Sequence, residues 1–565
     1  MNDKAKKGIG IAGLILTVFD LLMFFSLRPC WSGISKTLGY TNGANELLYY
    51  LPVYICIFFA VIALSDLLFV IFSKKWKIWP IVYFVLGLLF LGVIAAIVIL
   101  GARDYLRFVW PYLFKALGIT AAIGLLAWLL FAYPGKKLAE KKAFRCVCLF
   151  LAILAAGLYL TGFSLNGISC DPVVYAVEDE YQIVFSSSAD SLGWVSIGGE
   201  EYYDLYSGSQ KSGKIHKVCV PMYVLDEAGS YDIHVQKVIY RGPFGGFLGK
   251  VISKTVAFHA PDFSDGVQYL NLSDIHMNKK AAVRTAENAG GFDFLVLVGD
   301  MVSDVETYAD ANYASELASA MTGGEVPVIY ARGNHEVKGA YSDDLYMFVG
   351  SKDQDFYYYV RMGELYALVL DIGEDHEDDW WEYYGTADFD SYREDQLIFI
   401  DEEIEKGAFR EAGYRMAICH IPIVYVNYRH NHEYIKDEMT KRLNDMDIDM
   451  SVCGHQHEVL IFEPGLVTPG ESLVYNPKYA EGTYSGYLTD FNFPNLMVSK
   501  PGYTQPESDS DRSSHIGLFV NADLKKGLQR CVYLDSKGLP VPVVNPFADK
   551  DYGSEIDIYE DGTWK

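Results

Sequence analysis

The chain has 565 residues and a formal net charge of −25, long enough for several domains. The charge is uneven: residues 1–165 hold 16 Lys and Arg against 6 Asp and Glu, a net of +10, which leaves −35 for the rest. An acidic remainder without basic clusters argues against nucleic-acid binding, because phosphate contacts need Lys and Arg.

The basic segment is also the apolar one. Stretches near 8–27, 48–73, 78–101, 109–133 and 143–165 each approach the roughly 20 apolar residues that a membrane-spanning helix needs. They predict an all-α membrane region of five transmembrane helices over residues 1–165. Lys4, Lys6 and Lys7 precede the first stretch, Lys74, Lys75 and Lys77 follow the second, and Lys136 to Arg145 follow the fourth. The positive-inside bias of short loops then predicts a cytoplasmic N-terminus. The expected placement is a multi-pass plasma membrane protein, bacterial in type, with the part beyond residue 165 extracellular.

Residues 166–262 hold short segments of strand character separated by turn residues, which predict a small β-sandwich of immunoglobulin or fibronectin type. Cys170 and Cys219 both fall in it, and spacing alone leaves a disulfide between them open. Over residues 263–545 strands alternate with helical stretches near 279–289, 308–322, 392–407 and 433–444, the mark of an α/β domain. Residues 546–565 read as an acidic tail.

Five short motifs follow apolar strand-like runs in the α/β part: Asp274-Ile-His276, Gly299-Asp300, Gly333-Asn334-His335-Glu336, His420 with Pro422, and Gly454-His455-Gln-His457. In α/β folds, ligands bind at the C-terminal ends of strands, and all five motifs sit at predicted strand ends. Two Asp, one Asn and several His suffice for two adjacent metal ions. Such ions, roughly 3.5–4 Å apart, clamp the attacking and leaving oxygens of a phosphate ester. Imidazole and carboxylate together suit Mn, Fe or Zn.

The motif set, over roughly residues 265–460, resembles the calcineurin-like metallophosphoesterases, with the pattern D-x-H, G-D, G-N-H-D/E, H and G-H-x-H. The resemblance implies a four-layer α/β sandwich and a metal-dependent phosphoric ester hydrolase working by attack of a metal-activated hydroxide. It implies that Asp274, His276 and His457 hold one divalent ion, that Asn334, His420 and His455 hold a second, and that Asp300 bridges them. His335 would be the catalytic residue, as general acid or stabiliser of developing charge. The preceding sandwich and residues 396–421 are also similar to purple acid phosphatases. Those enzymes carry a Gly where His276 stands and a metal-binding Tyr where Ser303 stands, so an Fe(III)–tyrosinate site is not expected. Asp304 lies one residue beyond the place where protein phosphatases carry an Asp that orients the catalytic His, and is a candidate for that role.

Two segments are candidates for substrate binding. Glu374 to Tyr384 combines acids with Trp380 and Trp381, which suits either a lid or a cation–π cage for a headgroup. Tyr425 to His432 includes Arg429 and His430, of which Arg429 could meet a phosphate oxygen. The expected partners are a phosphate mono- or diester, lipid-linked or envelope-derived, and the lipid bilayer. The alternatives are an anchored nucleotide phosphatase and a non-catalytic metal-bearing receptor or assembly module.

Overall fold

The computed structural model describes residues 167–242, 245–427, 432–475, 484–498, 514–545 and 547–565. Two β-sheets carry the architecture. The path of the larger, twelve-stranded sheet runs Ile556–Tyr559, Leu528–Leu534, Gly517–Asp523, Val267–Leu272, Phe294–Val298, Pro327–Ala331, Ile168–Val177, Glu180–Ile197, Ser230–Gly242, Gly245–Ala257. The six-stranded sheet runs Tyr358–Met362, Leu365–Leu370, Tyr414–Cys419, Met450–Cys453, Asn495–Met497, Ile461–Phe462.

The centre of the larger sheet is parallel: Leu295 pairs with both Leu270 and Val328, and Val174 pairs with Pro327. Phe294–Val298 and Pro327–Ala331 are buried at every position. Continuous apolar runs of this kind belong to strands covered on both faces. On one face, Val296 and Ile329 share a core with Met416, Ile418 and Val452 of the second sheet. The helices Lys279–Ala289 and Tyr313–Thr322 bring Ala282, Ala286, Leu317 and Ala318 into the same core. Beyond the second sheet, Leu368, Leu370 and Cys419 pack with Leu397 and Ile400 of the helix Phe389–Lys406. Ile435 and Met439 of the helix Glu433–Asn444 join that second core. The layers are thus helix, sheet, sheet, helix, with six α-helices among the described residues.

The expected fold class needs two corrections. First, there is no separate small sandwich among the described residues. Ile168–Val177 pairs in parallel with Pro327–Ala331, and Glu180–Ile197 continues the same sheet. Val173 to Val177 are all buried, as in a strand covered on both faces, whereas a two-layer sandwich strand would alternate with exposed positions. The later half of Glu180–Ile197, paired with Glu200–Tyr203 on one side and Ser230–Gly242 on the other, alternates buried with partly exposed positions, as a sheet with one solvated face does. Second, the five expected membrane helices fall in residues 1–165, outside the described residues. Among the described residues no helix is long and apolar enough to cross a membrane. The 18-residue helix Phe389–Lys406 carries Asp, Glu, Arg and Lys along its length. The all-α membrane region and the multi-pass placement with an extracellular catalytic part are therefore withdrawn.

Two further differences follow. The segment read as a tail supplies the edge strand Ile556–Tyr559, paired with Leu528–Leu534. Cys170 and Cys219 are both free thiols.

Candidate metal centre

Each motif begins where a parallel strand ends. Asp274 and His276 follow Val267–Leu272, Asp300 follows Phe294–Val298, and Asn334 and His335 follow Pro327–Ala331. His420 follows Tyr414–Cys419, and His455 and His457 follow Met450–Cys453. Both sheets therefore deliver their motifs to the same end of the fold. Asp274, His276, Asp300, His455 and His457 all have φ between 42° and 75°. This left-handed region is uncommon outside glycine and concentrates at functional sites. It turns each side chain off the strand line and back toward its neighbours. The turns brace one another: Asp274 N–H donates to Gly299 O at 3.1 Å and His276 N–H to Asp300 O at 3.0 Å.

Two groups of ligand-type atoms result, one from Asp274, His276, Asp300 and His457 and one from Asp300, His420 and His455. Asp300 is common to both, and its Oδ2 lies 3.2 Å from His420 Nε2 and 3.6 Å from His276 Nε2. Asn334 joins the second group, with Oδ1 3.1 Å from His455 Nδ1. In the first, His276 Nε2 and His457 Nε2 are 3.1 Å apart, and His457 Nε2 is 3.3 Å from Asp274 Oδ1.

These groups fit a pair of cations. Asp274 Oδ1 and His420 Nε2 are buried and make no hydrogen bond, although each has a polar atom about 3 Å away in poor alignment. His420 Nδ1 donates to Val298 O at 2.6 Å, which leaves the Nε2 lone pair facing the Asp300 carboxylate. Acceptors that converge on one another call for positive charge between them. Glycine also makes room: a Cβ on Gly333 would lie 2.3 Å from both Asp300 N and Asp300 Oδ1.

The electrostatics point the same way. Burial favours neutral forms, yet it is overridden for Asp274 and Asp300. The surrounding imidazoles, His457 for the first and His420 for the second, hold both well below the usual carboxylate range. Burial would lower the His420 pKa, but the charge of Asp300 raises it to about 10, so that without a metal ion a proton on Nε2 supplies the positive charge at the place an ion would occupy. Burial is likewise offset by Asp300 at His335, whose pKa is raised.

His335 differs from the buried His420. Its side chain is 33% exposed against 1% for His420. Its Nδ1 donates to Ser303 O at 2.7 Å, so Nε2 faces the site, 3.9 Å from Asp300 Oδ2. The backbone carbonyl of Ser303 thus occupies the orienting position considered for Asp304. Burial pushes the Asp304 carboxyl up to about 6, and its charge acts on His335 through space.

Glu336 has a part that the sequence did not show. Its two carboxylate oxygens accept from the N–H groups of Asp300, Met301, Val302 and Gly333, which fixes the turn that carries Asp300. Trp380 and Trp381 sit on an exposed loop, where Trp380 stacks on His376 at 4.2 Å between centroids. Arg429 and His430 lie outside the described residues.

Residues 268–459 match the family model described as calcineurin-like phosphoesterase. No curated protein matches the chain. Among solved structures it is similar to a purple acid phosphatase from yellow lupin (Lupinus luteus) seeds, at 12% identity and a TM-score of 0.44, covering 70% of this chain and 74% of that one. It is similar to PhoD at 9% identity and a TM-score of 0.40, covering 71% and 93%. It is also similar to a metallophosphoesterase from Sphaerobacter thermophilus at 13% identity and a TM-score of 0.21, covering 45% and 84%. The assignment rests on the matched segment and its motifs: the chain carries a calcineurin-like metallophosphoesterase domain and is a metal-dependent phosphoesterase.

Proposed function

We propose that the chain hydrolyses phosphate mono- or diesters at a dinuclear centre of Mn, Fe or Zn. Asp274, His276 and His457 would hold one ion, Asn334, His420 and His455 the other, and Asp300 both. The observation that carries this reading is the position of Asp300 Oδ2 between the two groups of ligand atoms. When bound, two divalent ions neutralise phosphate charge and lower the pKa of water.

The residues of the chain do the rest. Asp300 sets the spacing of the two halves, and Glu336 holds its turn through four backbone N–H groups. Ser303 O fixes one proton of His335 on Nδ1, and the charge of Asp300 favours the cationic form, whose second proton sits on Nε2 facing the site. That proton serves the oxygen of the leaving group as its bond to phosphorus breaks.

The test is hydrolysis of p-nitrophenyl phosphate and bis-p-nitrophenyl phosphate by the full chain reconstituted with Mn2+, Fe2+ or Zn2+. The expected result is metal-dependent turnover of at least one ester, lost in Asn334→Ala through loss of one ion. Absence of turnover with all three metals would overturn the reading.

A further inference from the structure

We infer that Glu374 and Asp375 are positioning residues that aim two of the proposed ligands, Asn334 and His455, at the second ion. This rests on the dinuclear reading above. Both acids follow the strand Leu365–Leu370 in the second sheet, outside the five motifs, and both are buried.

Asp375 Oδ2 lies 2.9 Å from His455 Nε2. An ionised carboxylate only accepts, so Nε2 carries the proton and the lone pair is on Nδ1. That is the nitrogen 3.1 Å from Asn334 Oδ1. Glu374 Oε1 accepts from Asn334 Nδ2 at 3.1 Å, which turns the amide so that Oδ1 faces His455. Two adjacent carboxylates thus fix one tautomer and one amide orientation, and both remaining lone pairs converge on one place. Carboxylates that accept from a ligand's far side orient it and strengthen it as a donor.

The dipeptide is itself held rigidly. Arg393, fully buried on the helix Phe389–Lys406, donates to Ile372 O at 2.8 Å and to Glu374 O at 2.6 Å. Gln396 on the same helix makes two hydrogen bonds with the backbone of Asp371, at 2.9 and 2.6 Å. Lys338 Nζ, two residues past Glu336, lies 2.5 Å from Glu374 Oε1. Tyr383 OH donates to Glu374 Oε2 at 2.7 Å. The loop that bears Trp380 and Trp381 is therefore fastened to the same carboxylate that aims Asn334.

The test is a Mn2+ titration of the full chain, read as number of ions and affinity by calorimetry, alongside turnover at low and at saturating Mn2+. The variants are Asp375→Asn, Asp375→Ala, Glu374→Gln and, as a control on an exposed acid of the same loop, Asp379→Ala. Outer carboxylate partners typically contribute about 10- to 100-fold in metal affinity. We expect one of the two ions to weaken by that factor in the first three, the other to stay, and saturating Mn2+ to restore turnover in Asp375→Asn. Asp379→Ala should match the wild type. Combining Glu374→Gln with Asn334→Asp reverses donor and acceptor across that pair, and should recover affinity relative to Glu374→Gln alone. Two ions bound with wild-type affinity in every variant would overturn the inference and leave the dinuclear reading intact. Equal weakening of both ions would also overturn it, since that marks general damage. A wild type that binds none of Mn2+, Fe2+ and Zn2+ in the same titration would overturn both.

Discussion

Lys436 offers a stability test whose sign follows from the structure. It lies on the helix Glu433–Asn444 and is buried, with Nζ donating to Tyr425 O at 2.9 Å. Burial lowers its pKa from 10.5 to about 8, against the opposing charge of Asp375. At about 1.36 kcal/mol per pH unit, that gap is a folding penalty of about 3 kcal/mol. Below pH 8 both states hold the proton and the full penalty stands. Between pH 8 and 10.5 the unfolded chain binds a proton that the folded chain does not, so this group makes stability rise with pH. Above 10.5 the penalty is gone. Lys436→Met keeps most of the stem and removes the charge, at a cost of about 1 kcal/mol for the lost hydrogen bond. The variant should therefore be more stable than wild type by about 2 kcal/mol at pH 7, and less stable by about 1 kcal/mol above pH 10.5. Urea denaturation of both proteins at a series of pH values reads this directly, because other titrating groups cancel in the difference. A difference that stays constant from pH 7 to 10.5 would refute the reasoning.

Gly333→Ala should lower turnover at saturating metal by about 100-fold, the order expected for a misplacement near 1 Å, because its Cβ meets the backbone N of Asp300. Gly291→Ala, with nothing within 4 Å of its Cβ, is the matched control and should leave turnover unchanged. His335→Ala should keep both ions by metal analysis and lose turnover by about 100- to 10,000-fold on an alkyl phosphate ester. The loss on the p-nitrophenyl ester should be much smaller, since that leaving group needs little proton; equal losses on both would point to charge stabilisation instead.

Much of the catalytic domain is legible in the sequence because its strands are covered on both faces. Phe294–Val298 shows as an unbroken apolar run that stops where Gly299-Asp300 begins. The helical stretches expected near 279–289 and 433–444 coincide with Lys279–Ala289 and Glu433–Asn444. What was not legible depends on pairing across long separations. Ile168–Val177 reads as a strand from composition, but its neighbour Pro327–Ala331 lies some 150 residues later, and nothing local names it. Glu374 and Asp375 were visible as acids in an aromatic loop. That each faces a metal-ligand candidate rather than substrate follows only from where the strand Leu365–Leu370 ends. Likewise Glu336 showed as the last letter of a motif, while its role needs the Asp300 turn folded over it.

The left-handed backbone at Asp274, His276, Asp300, His455 and His457 carries a consequence for how substitutions there are read. Each such residue costs about 1–3 kcal/mol and persists only where its surroundings hold it. Here the holding groups are the ligands themselves. Asp274 Oδ2 accepts from His455 N–H at 3.1 Å, and Asp300 Oδ1 accepts from His335 N–H at 3.0 Å. Asp274 thus keeps the strained turn at His455 in place while its second oxygen faces the proposed ions. Removing Asp274 therefore removes a ligand from the first half and a brace from the turn that bears His455, which belongs to the second. Losses from substituting Asp274 and His455 should be far from additive, and loss of both ions on replacing Asp274 would not by itself place that residue between them.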